Sequence, residues 1–120
     1  MRAFRFLLAV LALAPLPASA QPGPPPNAII VAMAQHFVQD YFMRGGGQGH
    51  YHIEFDTADL HPQPEPNYWA VVGGYVSDQS DFNVFVAALQ LVCPDFEQVG
   101  CWSLDKLALN GKIVIDRKPL

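Results

Sequence analysis

Basic residues are scarce in this 120-residue chain, and their scarcity excludes two classes of partner. Seven Lys and Arg stand against 11 Asp and Glu. Two of the seven, Arg2 and Arg5, lie in an N-terminal segment that we expect to be removed, which leaves five basic residues and a formal charge of −6 with His neutral. A surface of this charge repels phosphate backbones and anionic lipid, so we predict no nucleic-acid partner and no docking on a membrane.

Long apolar runs are also lacking, with one exception at the start of the chain. Residues 6–14 are continuously apolar, but a bilayer span needs about 20 such residues. Arg2 and Arg5 precede the run, prolines follow it, and small residues occupy positions 18–20. This order is typical of a cleaved secretory signal. We predict a signal peptide at residues 1–20, cleavage between Ala20 and Gln21, and a product that is exported, either periplasmic or secreted.

Cysteine is limited to Cys93 and Cys101, which frame a short loop. The spacing is not Cys-x-x-Cys, which disfavours a redox-active pair. In an oxidising compartment an even number of cysteines favours a disulfide. We therefore predict one structural disulfide, and closing so small a loop would contribute about 2–3 kcal/mol of stability.

Beyond the signal, the chain predicts a proline-rich linker at residues 21–27 and a single domain at residues 28–120. Residues 28–43 predict a helix, with Asn27 in the position of an N-cap and glycines after residue 44 at its end. One helix face carries apolar side chains at three- and four-residue steps. These are Ile30, Met33, Phe37, Val38 and Tyr41.

The rest of the chain predicts strands at residues 50–57, 68–77, 82–93, 101–109 and 112–116. Residues 50–57 alternate polar and apolar, and the prolines in residues 60–66 indicate a stiff loop. Gly73-Gly74 predicts a bulge or a bend. Asn110-Gly111 predicts a type I′ hairpin turn. Residues 84–91 are also compatible with a buried helix, because short apolar runs fit both structures.

These elements predict an α+β fold, with one N-terminal helix packed across a curved antiparallel sheet of four to five strands. From Asn27 to Asp116 the order of elements resembles the cystatin-like superfold, in which a helix is gripped by a meandering sheet. That superfold includes cystatin protease inhibitors, so the resemblance implies inhibition as one alternative. The inhibitor motif Gln-x-Val-x-Gly is not matched, since Gln98-Val99-Gly100 lacks the intervening residues and Trp102 follows Cys101 rather than Pro.

One strand carries a candidate metal site. His50, His52 and Glu54 alternate along residues 50–57 and would therefore share one face, where Asp56 follows them. Imidazole and carboxylate groups so arranged fit zinc or copper, and His36 or His61 could add a ligand. The alternative is a solvated polar face without metal.

No set of side chains in the sequence forms a recognisable catalytic motif. We therefore predict a small exported non-catalytic domain without a cofactor, which binds a protein partner or a small ligand held between helix and sheet. A metal-binding protein that uses His50, His52 and Glu54 is the sharpest alternative. Aromatic residues are numerous, and we predict that most lie in the core while others line a cleft or a partner surface. They include Tyr68, Trp69, Tyr75, Phe82 and Trp102.

Overall fold

The computed structural model describes residues 23–45, 52–78 and 80–117. In these ranges one helix is followed by five strands, with a 3₁₀ turn at Val99–Cys101. The elements are α1 (Asn27–Met43), β1 (Glu54–Pro62), β2 (Tyr68–Val76), β3 (Asn83–Leu91), β4 (Trp102–Leu109) and β5 (Lys112–Asp116). The predicted signal peptide, its cleavage point at Ala20 and Gln21, and His50 lie outside the described residues.

The five strands form one antiparallel sheet in the order β1-β2-β3-β4-β5, so each strand pairs with its neighbours in sequence. The α+β class and the fifth strand are confirmed. Residues 84–91 form a strand and not a helix. Asn110 and Gly111 both have positive φ, 52° and 84°, as the predicted type I′ turn requires.

The helix α1 covers one face of the sheet. Ile30, Ala34, Val38 and Phe42 recur every four residues and are buried against β1 to β4. The predicted helix face is therefore rotated, because Met33, Phe37 and Tyr41 are only partly buried at its flank. Small Ala34 lies at the centre of contact, where it allows the helix to approach the sheet closely.

The predicted N-cap is wrong. Asn27 is the first residue of α1, and the capping position belongs to Pro26, which has an extended backbone. The carbonyl of Pro26 accepts hydrogen bonds from the N–H groups of Ile29 and Ile30 at 3.0 and 3.2 Å. Proline can occupy this position because a capping residue needs no N–H of its own within the helix.

The predicted first strand is displaced along the chain. It spans Glu54–Pro62, so residues 60–62 are strand and not loop, and residues 52 and 53 precede it. Pro62 fits as the last residue of an edge strand, where its missing N–H removes no ladder bond. A bulge places two residues of β1, Asp56 and Thr57, opposite the single residue Gly74 of β2. The irregularity predicted at Gly73-Gly74 therefore adds its extra residue to β1 and not to β2.

The bulge changes which side chains of β1 face the helix. Strict alternation over residues 50–57 would place Thr57 on the side of Phe55, but Thr57 is exposed, and Ala58 and Leu60 pack against the core instead. A single inserted residue reverses the two-residue alternation beyond it. The same side of the sheet carries the largest of the fully buried strand side chains. They are Val71, Phe85, Leu89 and Leu107.

The disulfide between Cys93 and Cys101 is confirmed, and it closes the β3–β4 connection. The strands predicted at residues 82–93 and 101–109 extend too far into this connection, since β3 ends at Leu91 and β4 begins at Trp102. Trp102 Nε1 donates to the carbonyl of Phe96 at 2.8 Å, which holds the loop against the sheet. The helix found in the described ranges does not meet the length and hydropathy needed to cross a membrane.

Candidate functional site: the helix–sheet cleft

A cleft of about 390 Å³ opens between one flank of α1 and the β4–β5 side of the sheet. Its apolar wall is formed by side chains from both layers: Phe37, Tyr41, Val99, Leu104 and Ile115. Its polar rim consists of His36, Asp40, Arg44 and Arg117. The volume lies within the range of about 300–1,000 Å³ that is typical of small-molecule sites.

Three rim residues come from one stripe of α1. His36, Asp40 and Arg44 are spaced four apart, so they follow one another along the helix surface. Asp40 Oδ2 accepts from Arg44 Nε at 2.9 Å. The His36–Asp40 pairing that the spacing also permits is replaced by this contact, and His36 instead meets the ring of Phe37 edge-on.

The fourth rim residue, Arg117, reaches the cleft from the far end of the chain. It directly follows β5, and its backbone N–H donates to the carbonyl of Asp105 at 2.7 Å. This bond fixes the backbone of Arg117 beside the cleft. In the described residues no ion pair joins Arg117 to a carboxylate.

The arrangement suits a ligand with an apolar body and an anionic group. Aromatic and aliphatic side chains form the wall, and two of the seven basic residues of the chain line the rim. Asp40 neutralises Arg44, so Arg117 supplies the excess positive charge. Guanidinium groups bind carboxylate, sulfonate or phosphate through paired N–H donors.

The predicted metal residues are only partly brought together. His52 Nε2 lies 3.9 Å from Glu54 Oε2, with the side chains 82% and 75% exposed. His61 is separated from them along β1, and His36 is on the cleft rim. No cluster of three His, Cys, Asp or Glu side chains with metal-binding geometry occurs in residues 23–45, 52–78 and 80–117. Because His50 is outside these ranges, the zinc or copper site stays a prediction.

A second polar group lies away from the cleft, where Tyr68 and Asp105 are both buried. Burial raises the pKa of Tyr68 to about 12, and the hydrogen bond to Asp105 and the negative charges of Asp105 and Glu65 act in the same direction. Ser103 Oγ also donates to Asp105 Oδ1 at 3.0 Å. These contacts hold β4 to the start of β2, and we interpret them as structural.

The sequence predicted a ligand between helix and sheet but did not identify the two arginines of the cleft, because they are 73 positions apart. Arg117 and Lys118 form a basic pair near the end of the sequence, a position typical of solubilising charge. Arg117 nevertheless lines the cleft, while Lys118 is outside the described residues. The sequence signal that could have located this rim was the four-residue spacing of His36, Asp40 and Arg44, which places them on one side of the helix. Phe82, predicted among the aromatics, is not in the core, since it is 91% exposed.

No family model, no curated protein and no solved structure matches this chain.

Proposed function

We propose that this protein is an exported binding domain that holds a small ligand with an apolar body and an anionic group in the helix–sheet cleft. The observation that carries the proposal is the placement of Arg44 and Arg117 on the polar rim of a cleft whose wall is apolar. In an acidic chain this is where an anion meets favourable charge.

The test uses decanoate as the probe, because it combines an aliphatic chain with one carboxylate. In a ¹H–¹⁵N NMR titration we expect saturable shifts at residues of the cleft wall, such as Phe37, Tyr41 and Ile115. Decanol, which has the same chain without the charge, should bind more weakly. A charged hydrogen bond contributes about 1.5–3 kcal/mol, so the preference for decanoate should be about tenfold or more.

The variant Arg117→Gln should abolish that preference and leave decanol binding unchanged. Lys112→Gln is the matched control, because it removes the same charge from the β4–β5 hairpin, and Lys112 does not line the cleft. If both variants lost the preference for decanoate equally, the preference would come from the overall charge of the protein and not from Arg117. Shifts confined to the other face of the sheet would overturn the assignment of the site.

The proposal includes two further predictions from the sequence, a cystatin-like identity and export. A cystatin-like identity is supported by one helix laid across a five-stranded meander. Export is supported by the disulfide, which is compatible with an oxidising compartment. Intact-mass analysis of protein recovered from outside the cytoplasm should show a chain that begins at Gln21, and retention of residues 1–20 would contradict it.

A further inference from the structure

The face of the sheet opposite α1 is apolar as well. Side chains that alternate with the core positions point to this side, and in the central strands β2 and β3 most of them are small and aliphatic. We call it the open face, and its central residues are Ala70, Val72, Gly74, Val76, Val84, Val86, Ala88, Ala108 and Ile113. The helix of the described chain packs on the other side, since it contacts Val71, Phe85 and their neighbours.

The exposure of this surface is unusual for a sheet that faces water. Val84, Val86 and Ile113 are 49%, 39% and 58% exposed. An antiparallel sheet covered on one side normally alternates apolar and polar residues along each strand. In β2 and in residues 84–89 of β3 both alternating sets lack charged and amide side chains, so water contacts an aliphatic surface at the centre of the sheet.

We propose that two copies of this chain pack open face to open face as a twofold dimer. Five strands about 4.8 Å apart, with about eight residues each at about 3.3 Å per residue, give a face of roughly 24 by 26 Å. Two such faces in contact remove about 1,200 Å² from water, which reaches the lower end of the size of specific interfaces. Small side chains let two sheets approach to the usual distance of about 10 Å.

Charge selects between the two symmetric ways of stacking the sheets. A twofold axis across the strands would place β1 on β1, so that Glu54, Asp56 and Asp59 of the two copies face one another. An axis along the strands places β1 on the β4–β5 side of the second copy. That side carries Lys106 and Asp116, which share one cross-strand row with His61 and lie one row from Asp59. The carboxylates of β1 then meet one basic and one acidic group instead of three acidic ones.

The axis along the strands also fixes the centre of the dimer. The middle strand, β3, of one copy then lies against β3 of the other copy. Val86 is the middle open-face residue of β3, between Val84 and Ala88, so the two Val86 side chains meet near the axis. The helix–sheet cleft is on the opposite side of the sheet and stays accessible, so this proposal is independent of the ligand.

Sedimentation equilibrium of the full exported chain, from about 1 to 200 µM, tests the proposal. We expect twice the monomer mass at the upper concentrations, with a micromolar Kd as suits a small interface. Val86→Lys places two charges at the axis and should raise the Kd at least 100-fold. Val92→Lys is the matched control, because Val92 is 58% exposed but lies in the β3–β4 loop, and it should leave the Kd unchanged.

A charge reversal tests the orientation. Lys106→Glu should weaken the dimer, and the addition of Asp59→Lys should restore it. Circular dichroism establishes that each variant is folded, and Ile113→Lys supplies a second open-face substitution should Val86→Lys not fold. A monomer at 200 µM overturns the proposal and leaves the face to a different protein. A dimer unaffected by both open-face lysines also overturns it, and failure of the charge rescue overturns the orientation.

Discussion

Gly73 lies where β2 passes directly beneath an aromatic ring of the core. A Cβ at this position would be 2.7 Å from Cε2 and Cζ of Phe85 and 3.0 Å from Cβ of Ala58. Phe85 is fully buried, so its ring has no open space to move into. Gly73→Ala should therefore lower the free energy of unfolding by about 1–3 kcal/mol, measured by urea denaturation.

The adjacent glycine provides the control. A Cβ at Gly74 would meet Asp56 Cβ at 3.5 Å and the Asn83 carbonyl at 3.6 Å, which are ordinary contacts. Gly74→Ala should leave stability unchanged or raise it by a few tenths of a kcal/mol, because alanine loses less backbone entropy on folding. In a Phe85→Leu background the cost of Gly73→Ala should shrink. Equal effects of the two alanines would show that the ring contact is not the cause.

At the scale of elements, the β3–β4 connection has two separate restraints. The disulfide joins residues eight apart in sequence. Val92 N–H also donates to the carbonyl of Cys101 at 2.8 Å, a backbone bond whose partners do not include the sulfur atoms. Reduction should therefore cost about 2–3 kcal/mol from the loop-closure entropy alone, without loss of the fold.

Urea unfolding with and without a phosphine reductant measures that cost. The double variant Cys93→Ser and Cys101→Ser is the control, since the reductant has no bond to break in it. Its stability should match that of the reduced wild type, apart from the small cost of a hydroxyl at buried position 101. A reduced protein as stable as the oxidised one would contradict the account.

Elements with strong local signals could be predicted from the sequence, and those shaped by tertiary contacts could not. The helix was placed to within one residue, and Asn110-Gly111 specified its turn, because both depend on nearby residues. β1 was displaced because its bulge and its terminal Pro62 are tolerated only at a sheet edge, and edge position follows from the pairing of all five strands. The pairing of Arg44 with Arg117 at the cleft was not predicted for the same reason.

The whole molecule depends on a single core that both layers share. Val38 of α1 and Val71, Phe85 and Leu107 of the sheet belong to one buried cluster. The two tryptophans, Trp69 and Trp102, lie together in the sheet layer with ring centroids 5.7 Å apart. Their fluorescence therefore reports on the sheet, while circular dichroism at about 222 nm reports chiefly on the helix.

A shared core predicts that helix and sheet unfold together. Val38→Ala removes the equivalent of two buried methylene groups, each contributing about 0.8 kcal/mol, and leaves a cavity, so it should cost about 2–3 kcal/mol. Although the change is in the helix, the tryptophan transition in urea should move by the same amount as the dichroism transition, at one fixed protein concentration. If the dichroism moved alone, the helix would unfold from a sheet that is stable without it, and the apolar side beneath α1 would then have to tolerate water as the open face does.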